Sequence, residues 1–208
     1  MTDTTATTNP PLFQTVFGGD WQALPQVMRD HYNVRAGSDD VVIVSGHLDV
    51  RVTRVMSVMA RLSGMLVPWS GDNVPVRVTF TSSKDGKSLI FHREFFFPGR
   101  KVVNFISRME HIGGNQLVEF MRFGVGWKMA YVWDGGKVIL AHRGYVWRLF
   151  GVMIPVPLHW IIGRGHAEEV PVSAQEFSMW THSRHPLFGK MFGYAGRFTI
   201  EKLPCDRS

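Results

Sequence analysis

The sequence predicts an α+β fold: one strongly curved antiparallel β-sheet, barrel-like or a half-barrel, of about ten strands with two or three helices. Three observations lead there. Turn signals recur roughly every 8–12 residues from Val74 onward, and period-two alternation fills most of the intervals between them. No regular strand–helix–strand alternation occurs that would build a parallel sheet. With 208 residues, 45% of them hydrophobic and 19% charged, the chain can bury one sizeable core. The expected organisation is a disordered tail over 1–11, one domain over 12–203 and a short tail over 204–208.

The elements follow in order. Leu12–Phe17 has helical apolar spacing and stops at Gly18-Gly19. A second helix starts near Leu24 with Pro25 in its first turn, and Leu24, Val27, Met28, His31 and Val34 form its buried face. Val41–Val52 alternates as a half-buried strand, and Thr53 caps a helix running to Leu66 before Pro68. Its expected apolar stripe is Val55, Val58, Met59, Leu62, Met65 and Leu66, packed on the concave face of the sheet. Consecutive hairpins come next, with strands Val76–Phe80, Leu89–Phe97, Lys101–His111, Leu117–Val125, Trp127–Asp134 and Lys137–Trp147. After an irregular apolar connection over Gly144–Gly163, strands resume at Arg164–Val170, Ala174–His182 and Met191–Lys202.

Composition excludes several classes. The 23 Lys and Arg against 17 Asp and Glu give a net charge of +6, but the cations stand singly among apolar neighbours, so no nucleic-acid partner is expected. The one cysteine, Cys205, rules out an intrachain disulfide framework and cysteine-rich zinc modules. His159, His166, Glu168, His182 and His185 repeat no HExxH spacing, and neither GxSxG nor GxGxxG occurs; no metal and no cofactor are expected. The polar start MTDTTATTNP resembles no export signal, which makes the cytoplasm the expected compartment.

Candidate sites come from three patterns. In the hairpin around Gly135-Gly136, pairing of Trp133 with Val138, Tyr131 with Leu140 and Met129 with His142 places Trp127, Met129, Tyr131, Trp133 and His142 on one aromatic face. Such a face suits either a pocket wall or an ordinary core. Arg93 shares its strand face with Phe91 and Phe95, so its guanidinium must hold a ligand carboxylate or phosphate, pair with a core acid such as Glu119, or reach solvent. A turn at Gly114-Asn115 sets Glu110 opposite Glu119, an acid–base arrangement, whereas a turn at Gly113-Gly114 sets Arg108 opposite Glu119. Finally, Trp147, Phe150, Met153, Ile154 and Trp160 in the 144–163 segment form a membrane or partner surface if exposed, and a seal on the core if folded back.

The stretches LFQTVFGGDWQALPQVMRDHY (Leu12–Tyr32), NVPVRVTF (Asn73–Phe80), HREF (His92–Phe95), WDGG with LFGVMIPVPL (within Trp133–Leu158) and HPLFGKMFGYAGRF (His185–Phe198) together resemble an uncharacterised bacterial domain family. That family is found alone or fused behind a saccharopine-dehydrogenase-like Rossmann domain. The resemblance implies a fold unit and supplies no catalytic residues. The function expected from the residues is a non-enzymatic domain that holds a hydrophobic or lipid-like small molecule in a sheet cavity. The alternatives are a cavity-type enzyme using acid–base catalysis through His142 or Glu110 and Glu119, and a membrane-surface or protein-interaction module with weak contact to anionic membrane.

Overall fold

The computed structural model describes residues 9–203; the tail residues 1–8 and 204–208, Cys205 among them, lie outside the described part. The sheet order is β6-β5-β4-β3-β2-β1-β11-β10-β9-β7-β8, and β6 also pairs with β7, so ten antiparallel strands close a barrel and β8 adds an eleventh at β7. The strands are β1 (Val41–Val52), β2 (Gly71–Ser82), β3 (Ser88–Phe95), β4 (Val103–Gly113), β5 (Gln116–Phe120) and β6 (Val125–Trp133). They continue with β7 (Val138–Leu149), β8 (Val152–Val156), β9 (Arg164–Pro171), β10 (Glu176–His185) and β11 (Gly189–Lys202). Closure removes the open edges that a curved sheet of this length would otherwise expose.

Alternation in the sequence becomes inside and outside in the barrel. Val42, Val44, Leu48 and Val50 of β1 are buried, as are Val74, Val76, Val78 and Phe80 of β2. Glycine permits the tightest approach: a Cβ on Gly46 of β1 would stand 1.9 Å from the Arg197 carbonyl oxygen of β11.

The two ends of the barrel differ. At one, α1 (Leu12–Phe17) and α2 (Gln26–His31) act as a plug. Phe13 contacts the Tyr131 ring at 5.1 Å, and His31 meets Phe80 and Phe177 at 5.0 and 4.3 Å. Leu24, Val27, Met28, His31 and Val34 are all buried, as the sequence spacing requires. At the other end, α3 (Arg54–Ser63) lies across the mouth. The Thr53 side chain accepts a hydrogen bond from the Met56 N–H, and Gly64 ends the helix in the left-handed conformation.

The stripe expected on α3 is corrected by the structure. Met56 and Ala60 are its buried residues, while Val55, Val58 and Leu62 are exposed. Periodicity could not separate these faces, because both are apolar around the helix. The expected irregular connection over 144–163 is also corrected. β7 runs on to Leu149, turns through Phe150-Gly151, and returns as β8; a one-turn helix, α4 (His159–Ile162), leads into β9. Pro155 is tolerated in β8 because that strand lies at an edge, where a missing N–H breaks no ladder.

Candidate functional site

Two cavities lie along the barrel axis. The one beneath α3 has a volume of about 150 Å³, and the other, toward the α1–α2 plug, about 70 Å³. Glu119, Trp127, Thr181 and Tyr194 line both, which makes them a waist between two chambers. Neither chamber reaches the roughly 300 Å³ of a drug-sized pocket.

The upper chamber is walled by flexible apolar side chains: Met56 and Met59 of α3, Met65, Met121, Phe105 and Ile162. Methionine fills irregular space and yields to a guest more readily than branched residues do. The lower chamber is more polar. Tyr32 donates a hydrogen bond to Glu169, and His31 Nε2 lies 3.7 Å from the same carboxylate. The Nδ1 of His31 is buried without a hydrogen-bond partner.

Beside the waist, in the lower chamber, Arg93 is held from three sides. Its Nη1 donates to Ser107 Oγ at 2.9 Å, its Nη2 lies 2.9 Å from Glu119 Oε1, and Ser107 in turn donates to that oxygen at 2.6 Å. The guanidinium also faces the rings of Phe91 and Phe105, at 5.3 and 5.0 Å from their centroids. Burial works against its charge, but Glu119 and the neighbouring tyrosines outweigh it and raise the Arg93 pKa. Of the three fates that sequence leaves open for Arg93, its side chain adopts the pairing with Glu119. Burial pushes the Tyr131 hydroxyl well above the usual tyrosine range and raises Tyr194 as well, so both remain neutral donors facing the interior.

The aromatic hairpin has the register read from its turn: Trp133 opposes Val138, Tyr131 opposes Leu140 and Met129 opposes His142. Asp134 Oδ1 accepts from the Gly136 and Lys137 N–H groups, which holds its carboxyl below the ordinary range. Trp127 and Tyr131 reach the chambers, whereas Met129, Trp133 and His142 are not among the lining residues. The indole N–H of Trp127 donates to His142 Nδ1 at 2.9 Å. Burial, then Arg164 and His159, push the His142 pKa down to about 4. The Trp127 ring packs against Gly165, where a Cβ would come within 2.8 Å of its ring carbons.

Glu110 and Glu119 do not meet. Glu119 faces inward opposite Met109, and Glu110 is opposite Val118 on the outer side, bound by Arg148 at 2.7 and 2.6 Å. An extra residue at Ile112 shifts the ladder between His111 and Gly113. This bulge selects a register between the two that the glycines suggested.

A family model described as a domain of unknown function, DUF4166, matches residues 24–198. The chain belongs to this family. Among solved structures, the DUF4166 chain is similar to Rv2717c from M. tuberculosis, at 11% identity and a TM-score of 0.43, over 89% of this chain and 99% of that one. No curated protein matches it.

Sequence reading missed several lining residues of this DUF4166 domain. Tyr194, Glu169, Tyr32 and Thr181 come from β11, β9, the end of α2 and β10, and only barrel closure brings them together. The signal available was an acid or tyrosine on an otherwise apolar strand face. Among the described residues no group of three or more His, Cys, Asp or Glu side chains converges on a common point, and no helix is long and apolar enough to cross a membrane.

Proposed function

We propose that this DUF4166 domain binds a hydrophobic small molecule with a compact polar head. The apolar part sits in the chamber beneath α3, and the head points to the waist at Glu119 and Tyr194, with Arg93 on its far side. One observation carries the reading: an apolar chamber of about 150 Å³, lined by four methionines, meets the hydrogen-bonded Arg93–Glu119 pair at Glu119. Apolar cavities of this size stay dry and take up small apolar molecules. A longer ligand requires α3 to swing aside and the two chambers to merge past Trp127, a local opening that a short terminal-capped helix permits.

Binding is favoured over acid–base catalysis for two reasons. The two carboxylates suggested for catalysis are on opposite faces of the sheet. His142, with a pKa near 4, is a weak base and is already engaged by Trp127.

The test is titration with 1-aminoanthracene, a fluorescent apolar probe, followed by displacement with medium-chain fatty acids. Saturable binding, abolished in Ala60→Phe with an unchanged or higher melting temperature, is the expected result. Ala60 lines the upper chamber, so a phenyl group there occupies it. Equal probe binding by Ala60→Phe would place the probe elsewhere and overturn the reading.

A further inference from the structure

The mouth of the barrel has a surface unlike the rest of the molecule. Strand register places five segments at this end: 53–70 with α3, the β3–β4 loop at 96–102, residues 121–124, the β7–β8 tip with α4, and the β10–β11 turn. Large apolar side chains project outward from them. Phe150 is 97% exposed, Leu62 84% and Leu187 81%, joined by Phe188, Phe123 and Trp160. Three of the four turns at the opposite end are polar instead, built from Lys84-Asp85-Gly86-Lys87, Gly113-Gly114-Asn115 and Asp134-Gly135-Gly136-Lys137, and the fourth, 172–175, exposes Val172. Large exposed apolar side chains gathered at one end of a molecule, instead of scattered singly, mark an interaction surface.

Charge is sorted along the same axis. Exposed Arg54 and Arg61 of α3, Arg100 and Lys101, Arg122 and Lys190 surround the mouth, and the five segments contain no Asp or Glu. An apolar rim set among a clear excess of cations, with Asp72 beside it already paired to Arg51, is complementary to an anionic lipid surface.

The rim is also built, with its tips held in place. Buried His185 donates from Nε2 to the Trp160 carbonyl at 2.9 Å, and its Nδ1 accepts from the Leu187 and Phe188 N–H groups at 3.1 and 3.3 Å. One imidazole therefore ties α4 to the β10–β11 turn. The Trp147 indole donates to the Phe123 carbonyl at 2.9 Å, tying β7 to residues 122–124. Phe150 and Gly151, the two central residues of the β7–β8 turn, have φ of 49° and 83°, and Phe123 has φ of 61°. Asn, Asp or Gly suit such positions, and a phenylalanine there is unfavourable for folding.

We propose that this apolar, cationic rim docks the mouth of the barrel onto an anionic lipid bilayer, with Phe123, Phe150, Trp160, Leu187 and Phe188 entering the headgroup–acyl boundary. In that orientation α3 faces the lipid, and an apolar guest passes between bilayer and chamber without crossing water. The docking stands on the rim alone and does not require a ligand in the cavity.

The experiment is co-sedimentation of the full chain with vesicles of phosphatidylcholine, or of phosphatidylcholine with phosphatidylserine, over a range of salt. Binding is expected on the anionic vesicles, falling as salt shortens the reach of the cations. Phe150→Asn and Phe188→Ser are each expected to weaken it by about ten-fold or more, as loss of a buried phenyl requires. Phe150→Asn keeps or improves the turn, so its melting temperature does not fall. Quenching of Trp fluorescence by lipids brominated on the acyl chain is expected to fall with Trp160→Ala, the remainder coming from Trp147. Failure to bind anionic vesicles overturns the proposal, as does binding that neither substitution changes. A dimer in sedimentation velocity that Phe150→Asn dissociates, without vesicle binding, assigns the rim to a second copy and overturns it too. Vesicle binding without 1-aminoanthracene binding supports docking while removing the cavity reading.

Discussion

Arg93 and Glu119 meet inside the barrel at 2.9 Å, across the intervening strand β4, with Ser107 bonded to both. Their worth lies in what happens when one is removed. Replacing Glu119 by Gln or Leu leaves the Arg93 charge buried and uncompensated, which costs about 3–5 kcal/mol. The double variant Arg93→Met with Glu119→Leu swaps the pair for apolar volume and is expected to recover most of that loss. Chemical denaturation of Glu119→Leu, Arg93→Met and the double variant tests this. If the double variant is as unstable as the sum of the singles, the pair is not coupled as the geometry requires.

The histidines set the acid limit. His142 is held down to about 4, and His182 is lowered as well, chiefly by burial, then by His166 and Lys190. Both stay neutral in the fold while the unfolded chain protonates them near the ordinary histidine value of about 6.5. The unfolded state therefore binds more protons below that value, and stability falls as pH drops from about 6.5 toward 4. His142→Gln keeps an acceptor for Trp127 and removes the titration, so its melting temperature should change less with pH across this interval. A parallel pH profile for wild type and His142→Gln would show that His142 does not carry the effect.

Trp127 depends on the missing side chain at Gly165. A methyl group there falls 2.8 Å from two indole carbons, so Gly165→Ala must shift the ring and strain its bond to His142. Since Trp127 lines both chambers, the shift also narrows the waist. A destabilisation of about 1–3 kcal/mol is expected, together with altered Trp fluorescence and weaker probe binding. Unchanged emission and probe affinity in Gly165→Ala would mean that the indole has room to yield.

How much of this was legible in the residues depends on distance along the chain. The β6–β7 register could be read as far as Met129 opposite His142, because two glycines after Asp134 leave one tight turn; beyond it an extra residue at Arg143 sets Lys128 opposite Gly144. The β4–β5 register could not, because a bulge at Ile112 leaves no mark in composition. β8 was hidden by Pro155, which argues against a strand unless one knows that the strand is an edge. Arg93 announced that it needed an acid, and Glu119 was nameable from its place on an apolar strand. Tyr194 and Glu169 were not nameable as neighbours of that pair, since β11 and β9 reach it only through closure of the whole sheet.

The last prediction concerns Phe150, where folding and docking make opposite demands. Its φ of 49° followed by 83° at Gly151 is the geometry of a two-residue hairpin turn that prefers Asn-Gly. A bulky residue in the left-handed region is unfavourable by about 1 kcal/mol, and a side chain that is 97% exposed regains nothing by packing. Phe150→Asn is therefore expected to raise the melting temperature by about 2–4 °C, read by thermal unfolding in vesicle-free buffer. The same substitution is expected to weaken vesicle binding. A residue whose removal stabilises the fold is retained for what it contacts outside the fold, and a lowered melting temperature in Phe150→Asn would show instead that the phenyl group supports the hairpin itself.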